Sequence, residues 1–362
     1  QQIYFEWDIS AFSLAPEDEL HIQICIADNN SLSGPSITKS AILIGRYPSI
    51  EDLFERMEEE EAEVQEYEQE IKMNLEDVHE LVKELELELL KSEDVSWEQT
   101  QKTEEALEKM EEVFDQIENI KETMQKIQDQ AEKNNLVSEN LIEKFSEFQE
   151  LLDEIMTPEM MEAMEKLQSA MEEMDPQKML DALEDFEFDA EAFEEQLDRF
   201  IEMFELALAE QKMDEVVKRL EKMVEEQNAI MEELSNNEDM SDLASRERRQ
   251  EENFKALEKT IKEASESISE FSPDASEDLK KLNISELKQS ISNDLNKTRK
   301  ELQNQNQSSS SKSGQSAADG LNEMLNIAQE IQSNFQEDTV DEMLRKFLAL
   351  IRNLLFISQQ QE

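Results

Sequence analysis

The chain has 362 residues, 91 acidic and 35 basic side chains, a formal net charge of −56 and a pI near 4.2. That balance excludes nucleic-acid binding and a polybasic membrane-surface role, both of which need clustered Lys and Arg. Four Gly and six Pro leave little material for a turn-rich enzyme, whereas the abundant Glu, Leu, Met, Lys and Gln favour long helices. No stretch approaches the roughly 18 uninterrupted apolar residues that a bilayer span needs.

Residues 1–48 read as strands rather than helix. In His21-Ile22-Gln23-Ile24-Cys25-Ile26 the isoleucines share one face, and Ser40-Ala41-Ile42-Leu43-Ile44 is a second apolar run of strand length. Between them Asp28-Asn29-Asn30-Ser31-Leu32-Ser33-Gly34-Pro35 is dense in turn formers. With Tyr4-Phe5-Glu6-Trp7 and Phe12-Ser13-Leu14 ahead, three or four strands are expected. That is too few for a whole β-sandwich, so the C-terminal part of one is predicted. Cys25 is expected to be a small core residue, and Asp28-Asn29-Asn30 is the best candidate for a calcium-binding turn beside its reading as a plain β-turn.

Pro48 ends the extended run, Ser49 can cap, and a helix of about forty residues follows, extending roughly 60 Å. It carries Val64, Tyr67, Ile71, Leu75, Val78, Val82, Leu85 and Leu89. Ser96 and Gln99 form a capping box for the next helix. There Ala106, Met110, Val113, Ile117, Ile120, Met124, Ile127 and Ala131 alternate in steps of four and three, a register that polar disorder would not keep. Further helices are predicted over 136–156, 158–174, 176–187, 190–235, 241–271 and 274–303, three of them opened by a capping residue before Pro. Loops this short favour antiparallel neighbours. Residues 49–303 are therefore expected to form an acidic helical bundle or coiled-coil region, and the polar low-complexity run 304–318 a flexible linker. In 319–362, expected to be a separate helical segment, Leu321, Met324, Ala328, Ile331 and Phe335 resume helical spacing. The most apolar helix is 343–357, where Phe347, Leu350, Ile351, Leu354 and Leu355 are the candidate partner-binding residues.

Catalytic and metal chemistry finds little to use. His21 and His79 have no Cys or second His at ligand spacing, and Gly34, Gly45, Gly314 and Gly320 do not cluster into a phosphate loop. The Glu runs read as solvated helix faces. Met160, Met164, Leu167, Met171 and Met174 fall on one stripe that reads as core, with a plastic binding groove as the alternative; Phe186, Phe188, Phe193, Phe200 and Phe204 belong to the same region.

Several segments, in order, resemble one family. These are Leu14-Ala15-Pro16-Glu17-Asp18-Glu19-Leu20, Asp28-Asn29-Asn30 to Ser33-Gly34-Pro35, and Arg46-Tyr47-Pro48-Ser49-Ile50-Glu51-Asp52-Leu53-Phe54. Glu195-Gln196-Leu197-Asp198-Arg199, Glu210-Gln211-Lys212-Met213-Asp214-Glu215 and Leu354-Leu355-Phe356-Ile357-Ser358-Gln359-Gln360-Gln361-Glu362 follow. The family is that of large bacterial membrane-anchored envelope proteins of unknown function. The resemblance implies transmembrane helices and an Ig-like extracytoplasmic module followed by a long acidic helical region. It also implies that the chain begins late in that module, stops before the family's C-terminal continuation, and lies on the periplasmic side. No catalytic residues come with it, and the ATPase label of some members meets no nucleotide motif here.

The expected fold is mainly α, with elongated antiparallel helical hairpins or coiled coil after a small partial Ig-like β-sandwich segment. The expected function is a non-enzymatic scaffold or spacer of the cell envelope, with protein partners or self-association through helices, no nucleic acid, and a membrane met only through segments outside these residues. No cofactor or metal is called for. In the competing reading the Met-rich hairpin 156–188 or helix 343–357 holds an apolar polypeptide or lipid, as a chaperone or carrier would.

Overall fold

A computed structural model describes residues 19–28, 35–46, 48–155 and 158–360; the side chains of residues 154, 158, 159, 188 and 340–360 lie outside that description. The chain is mainly helical with a small β segment, and it divides into two compact units, Gln1–Glu59 and Glu60–Glu362.

In the first unit β1 (Glu19–Ile22) pairs antiparallel with β4 (Leu43–Arg46), and β2 (Cys25–Ala27) with β3 (Ile37–Lys39). The register runs from Ile22 opposite Leu43 to Cys25 opposite Lys39, so Ser40, Ala41 and Ile42 face only Gln23 and Ile24. One extra residue on the returning strand makes a bulge. Ser40 bridges it, its N–H donating to the Ile24 carbonyl at 2.8 Å while its Oγ accepts the Ile24 N–H at 3.0 Å. The Asp28 N–H donates to the Ser36 carbonyl at 3.1 Å, and the Ser36 N–H to Asp28 Oδ1 at 2.8 Å, closing the ribbon. The expectation that Cys25 lies in a core is corrected: Cys25 is exposed, as are Ile24, Ile26, Leu43 and Ile44. A two-stranded ribbon with no second layer among the described residues buries neither face. Tyr4, Phe5, Trp7, Phe12, Leu14, Asn29 and Asn30 lie outside the described residues. Helix α1 (Ile50–Leu89) begins in this unit with the reciprocal cap that its sequence prescribes. The Ser49 N–H donates to Asp52 Oδ2 at 2.8 Å and the Asp52 N–H to Ser49 Oγ at 3.1 Å. The bond from the Ser49 backbone holds the Asp52 carboxyl below its usual range.

The second unit carries the rest of α1 and then α2 (Trp97–Asn134), α3 (Glu139–Ile155), α4 (Pro158–Glu173), α5 (Pro176–Ser235), α6 (Met240–Ser267), α7 (Pro273–Asn283), α8 (Glu286–Gln303) and α9 (Gln307–Gln360). Cross-helix bonds fix the directions. Lys102 bonds Glu84 and Glu88, Lys109 bonds Asp77, and Gln116 bonds Glu70, so α2 descends as α1 ascends. Gln128 donates to Ser146 and Lys121 to Asp153, which makes α3 antiparallel to α2, while α4 returns on α5 through Lys166 and Asp185. His79 meets Glu194 at 2.8 Å and Glu61 meets Gln211, setting α5 antiparallel to α1. These elements close an up-down-up-down bundle in which the pair α3 and α4 supplies one edge. The second half of α5 repeats the device with α6, α8 and α9: Arg246 bonds Glu226, Arg299 bonds Glu251, Thr298 donates to Ser313, and Gln332 donates to Asp214. Helix α7 packs on α6 and α9.

The heptad-like registers read from the sequence form these cores. Every position of the three-four register from Ala106 to Ala131 is buried, as are Val64, Ile71, Leu75, Val78, Val82, Leu85 and Leu89 of α1. Phe148 meets Phe200 edge-on at 5.9 Å, and Phe200 stacks on Phe204 at 6.2 Å. The Ser96 capping box is present, with the Ser96 N–H donating to Gln99 Oε1 at 2.8 Å and Ser96 Oγ accepting the Gln99 N–H at 3.3 Å. Ser96→Ala is expected to lower stability by about 1 kcal/mol, read as a shift of the urea midpoint with unchanged slope.

Three boundaries differ from expectation. Residues 176–187 and 190–235 form one helix, α5, of 60 residues, because nothing between them supplies a helix stop. The predicted helix 274–303 is broken at Ile284, and Ser285 restarts it by accepting the Lys288 N–H at 3.2 Å. Residues 304–318 are not a flexible linker, since α9 runs unbroken from Gln307, and 319–362 is not a separate segment. The physical reason for the linker error is that small residues are here a packing surface. Ser310, Ser313, Ala317 and Ala318 are buried, and a Cβ on Gly314 would stand 2.3 Å from Met231 Cε. Their small size lets α9 lie close against α5 and α8.

Candidate functional site

Most of α5 buries one stripe, but from Leu206 to Val217 every residue except Lys212 is buried. This is the waist of the helical unit. Here α1 residues near Glu61, the start of α3 and the stretch of α9 around Gln332 all reach the same turns of α5. A helix surrounded on all sides normally reads as apolar throughout. This one carries Glu210, Gln211, Asp214 and Glu215 inside.

Each of these groups has a partner from another element or a neighbouring turn. Glu210 takes a charge-assisted bond from Lys144 of α3 on Oε2 and the Gln336 amide of α9 on Oε1 at 3.1 Å. Asp214 accepts the Ser138 N–H at the start of α3 at 2.6 Å, and Gln332 of α9 bonds its other oxygen. Gln211 donates to Glu61 of α1. Glu215 is held by Arg219 at 2.8 Å, with Lys212 at 3.5 Å. The belt therefore ties α1, α3 and α9 to one segment of α5. Burial pushes the Asp214 carboxyl up to about 6, against the lowering effect of the Ser138 hydrogen bonds, and the Glu210 charge adds to the rise.

A second buried carboxyl lies in the α5, α6, α8 and α9 bundle. Along α6 the core positions run Leu243, Ala244, Glu247, Gln250, Phe254, Leu257 and Ile261, all buried. Gln250 donates to the Met223 carbonyl at 2.8 Å. Glu247 receives only the Gln227 amide, at 3.2 and 3.4 Å, and burial pushes its carboxyl up to about 8, with Glu251 and Glu226 adding to the rise. Gln227 Oε1 is buried with no hydrogen bond. The nearby cation is engaged elsewhere, since Arg246 spans Glu226 and Glu233 at 2.7 Å each.

The arrangement thus holds two carboxyls raised by burial, Asp214 and Glu247, and pairs ions around them. Among the described residues no three His, Cys, Asp or Glu converge as a metal set. His21 stands 2.9 Å from Glu19 on the exposed ribbon and His79 pairs with Glu194. Of the Met-rich hairpin, Met160, Met171 and Met179 are buried in the bundle, Met164 is half-buried, and Met161 and Met174 are exposed. Phe347, Leu350, Ile351, Leu354 and Leu355 lie on α9, and their side chains fall outside the described residues. Sequence reasoning missed the waist and Glu247, although a signal was present. Glu247 and Gln250 occupy core steps of a three-four register, and Glu210 to Glu215 interrupts an otherwise apolar run.

No protein-family model, no curated protein and no solved structure matches this chain.

Proposed function

We propose that the protein is a structural and interaction module, a helical scaffold or spacer of the bacterial cell envelope without a catalytic step in these residues. The observation that carries this reading is the single helix α5, which forms one side of both four-helix bundles and is clamped between them by the buried polar belt. Sixty helical residues span roughly 90 Å, and a shared helix tied laterally at its middle transmits position from one bundle to the other without a hinge. In the same proposal the apolar three-four stripes pack as coiled coil, and the exposed ribbon of the first unit belongs to an Ig-like module. Placement in the envelope rests on the resemblance of the segments quoted above, with anchorage through segments outside these residues. No described helix is long and apolar enough to cross a membrane.

The test is mild crosslinking of the protein in its native membrane, followed by mass-spectrometric identification of linked peptides. Recurrent links from residues 190–235 to particular envelope proteins are expected of a scaffold, and links between its own copies of a spacer. Recovery of the protein without any intermolecular link, or with soluble enzymes alone, overturns the reading.

A further inference from the structure

The helical registers send most large apolar side chains of α1 and α2 into the bundle; Met73 is exposed at the middle of α1, and the other strongly exposed ones lie at one end. Around the turn that joins these helices Leu90 is 69% exposed, Trp97 73% and Leu87 52%. The turn is short and braced from within, Gln99 Nε2 donating to Ser92 Oγ at 3.3 Å while Val95 is buried. The end of α4 comes alongside, because Thr100 Oγ1 approaches Met174 Sδ at 3.8 Å, and Met174 is itself 49% exposed. Two leucines, a tryptophan and a methionine are thus exposed at one end of the bundle, where ordinary folding would leave polar residues. Exposed apolar patches of this kind, centred on Trp and rimmed by polar groups, mark interaction surfaces.

The rim states what kind of partner fits. Glu93, Asp94 and Glu98 are exposed between and beside the apolar residues. On the other flank Glu86 of α1 faces Glu184 and Glu187 of α5, and burial together with those two charges raises its carboxyl above the usual range. Of the cations nearby, Lys178 is bonded to Glu173 and Lys102 to Glu84 and Glu88; Lys91 and Lys83 are exposed. The surface therefore combines apolar anchors with crowded carboxylates that an incoming cation would relieve. A second copy carries the same excess of 56 negative charges, and an anionic bilayer repels it likewise. Charge complementarity selects a basic partner.

We propose that this end of the bundle, formed by the turn between α1 and α2 and the end of α4, docks a basic segment of another polypeptide that presents an apolar helical face. The proposal deepens the scaffold reading by naming a partner class and a place for it.

The experiment titrates the full chain against a fluorescently labelled amphipathic helical peptide of Lys and Leu, about five turns long, at physiological salt, with anisotropy as the readout. The expected result is saturable binding that Leu90→Ser combined with Trp97→Ser weakens about tenfold or more, while Ile284→Ser, an exposed apolar control in the other bundle, leaves it unchanged. Both altered positions are exposed, so the thermal midpoint should not move, and Glu86→Gln with Glu187→Gln should weaken binding a further few-fold. Equal weakening by Ile284→Ser, or none from the double variant, overturns the proposal as non-specific attraction to an acidic chain. Two other occupants would also overturn it: a dimer dissociated by the double variant in sedimentation, with peptide binding unaffected, or adsorption to phosphatidylcholine vesicles lost in that variant alone. These outcomes are read on the isolated chain, so they fail or hold independently of the crosslinking test in the native membrane.

Discussion

Thermal stability should fall as the pH rises from about 5 to about 9, and Glu247→Gln should remove much of that fall. Glu247 is fully buried at a core step of α6, with the Gln227 amide as its hydrogen-bond partner and Glu226 and Glu251 as charged neighbours. Its carboxyl titrates near 4.5 in an unfolded chain and about 8 in the folded one. A folded pKa raised above the unfolded value means that the folded state binds the proton more tightly. The resulting stabilisation is complete below the unfolded value, declines between the two, and is gone above the folded one. Asp214 adds a change of the same sign between 3.8 and about 6. At about pH 9 Glu247→Gln should therefore stabilise the protein by roughly 2–4 kcal/mol, because a neutral amide of the same shape replaces a buried anion. Near pH 5 it should be almost neutral. Urea denaturation at the two pH values checks this, and an equal effect of the substitution at both would refute it. A residual slope will remain in the variant, because repulsion among 56 excess negative charges also grows as carboxylates ionise.

The second large effect is expected at the waist, where Lys144→Met should cost about 3–5 kcal/mol. Lys144 is one-fifth exposed and Glu210 almost wholly buried, so removing the ammonium strands an anion that keeps only the Gln336 amide at 3.1 Å. The methionine preserves the packing of the lysine stem, which separates the charge effect from a cavity. Combining it with Glu210→Gln should restore more than half of the loss, because the uncompensated charge is then gone. A double-mutant cycle by urea denaturation measures this, and strictly additive losses would show that the pair is not coupled. Since the same belt clamps α3 and α9 to α5, hydrogen exchange in Lys144→Met should accelerate first at the start of α3 and in α9 around Gln336.

The sequence made the helices legible because their information is local. Steps of three and four from Ala106 to Ala131 prescribe one buried stripe whatever lies opposite, and Ser49, Ser96, Asp175 and Ser272 each accept backbone N–H groups where the sequence places a cap. The linker was misread for the converse reason. Serine, glycine and alanine at 308–320 have the composition of a flexible chain, and only the approach of Met231, Thr298 and Ile291 turns them into a close-packed helical face. The ribbon shows a similar division. Alternation in residues 21–26 and 40–44 marks strands, but the bulge at Ser40 and the exposure of Cys25 depend on which residues pair and on what covers them.

By itself the sequence determined composition class, helical content, capping and the identity of most core residues, since each follows from periodicity or from one residue's hydrogen-bonding chemistry. Only the tertiary structure decided that α5 is shared by two bundles, that Glu210, Gln211, Asp214 and Glu215 are buried among α1, α3 and α9, and that Leu90, Trp97 and Met174 are left exposed at one end. The reason is that burial is a property of surroundings. A carboxylate in an acidic chain reads as solvated until distant helices remove the water from it, and an apolar residue reads as core until no helix arrives to cover it.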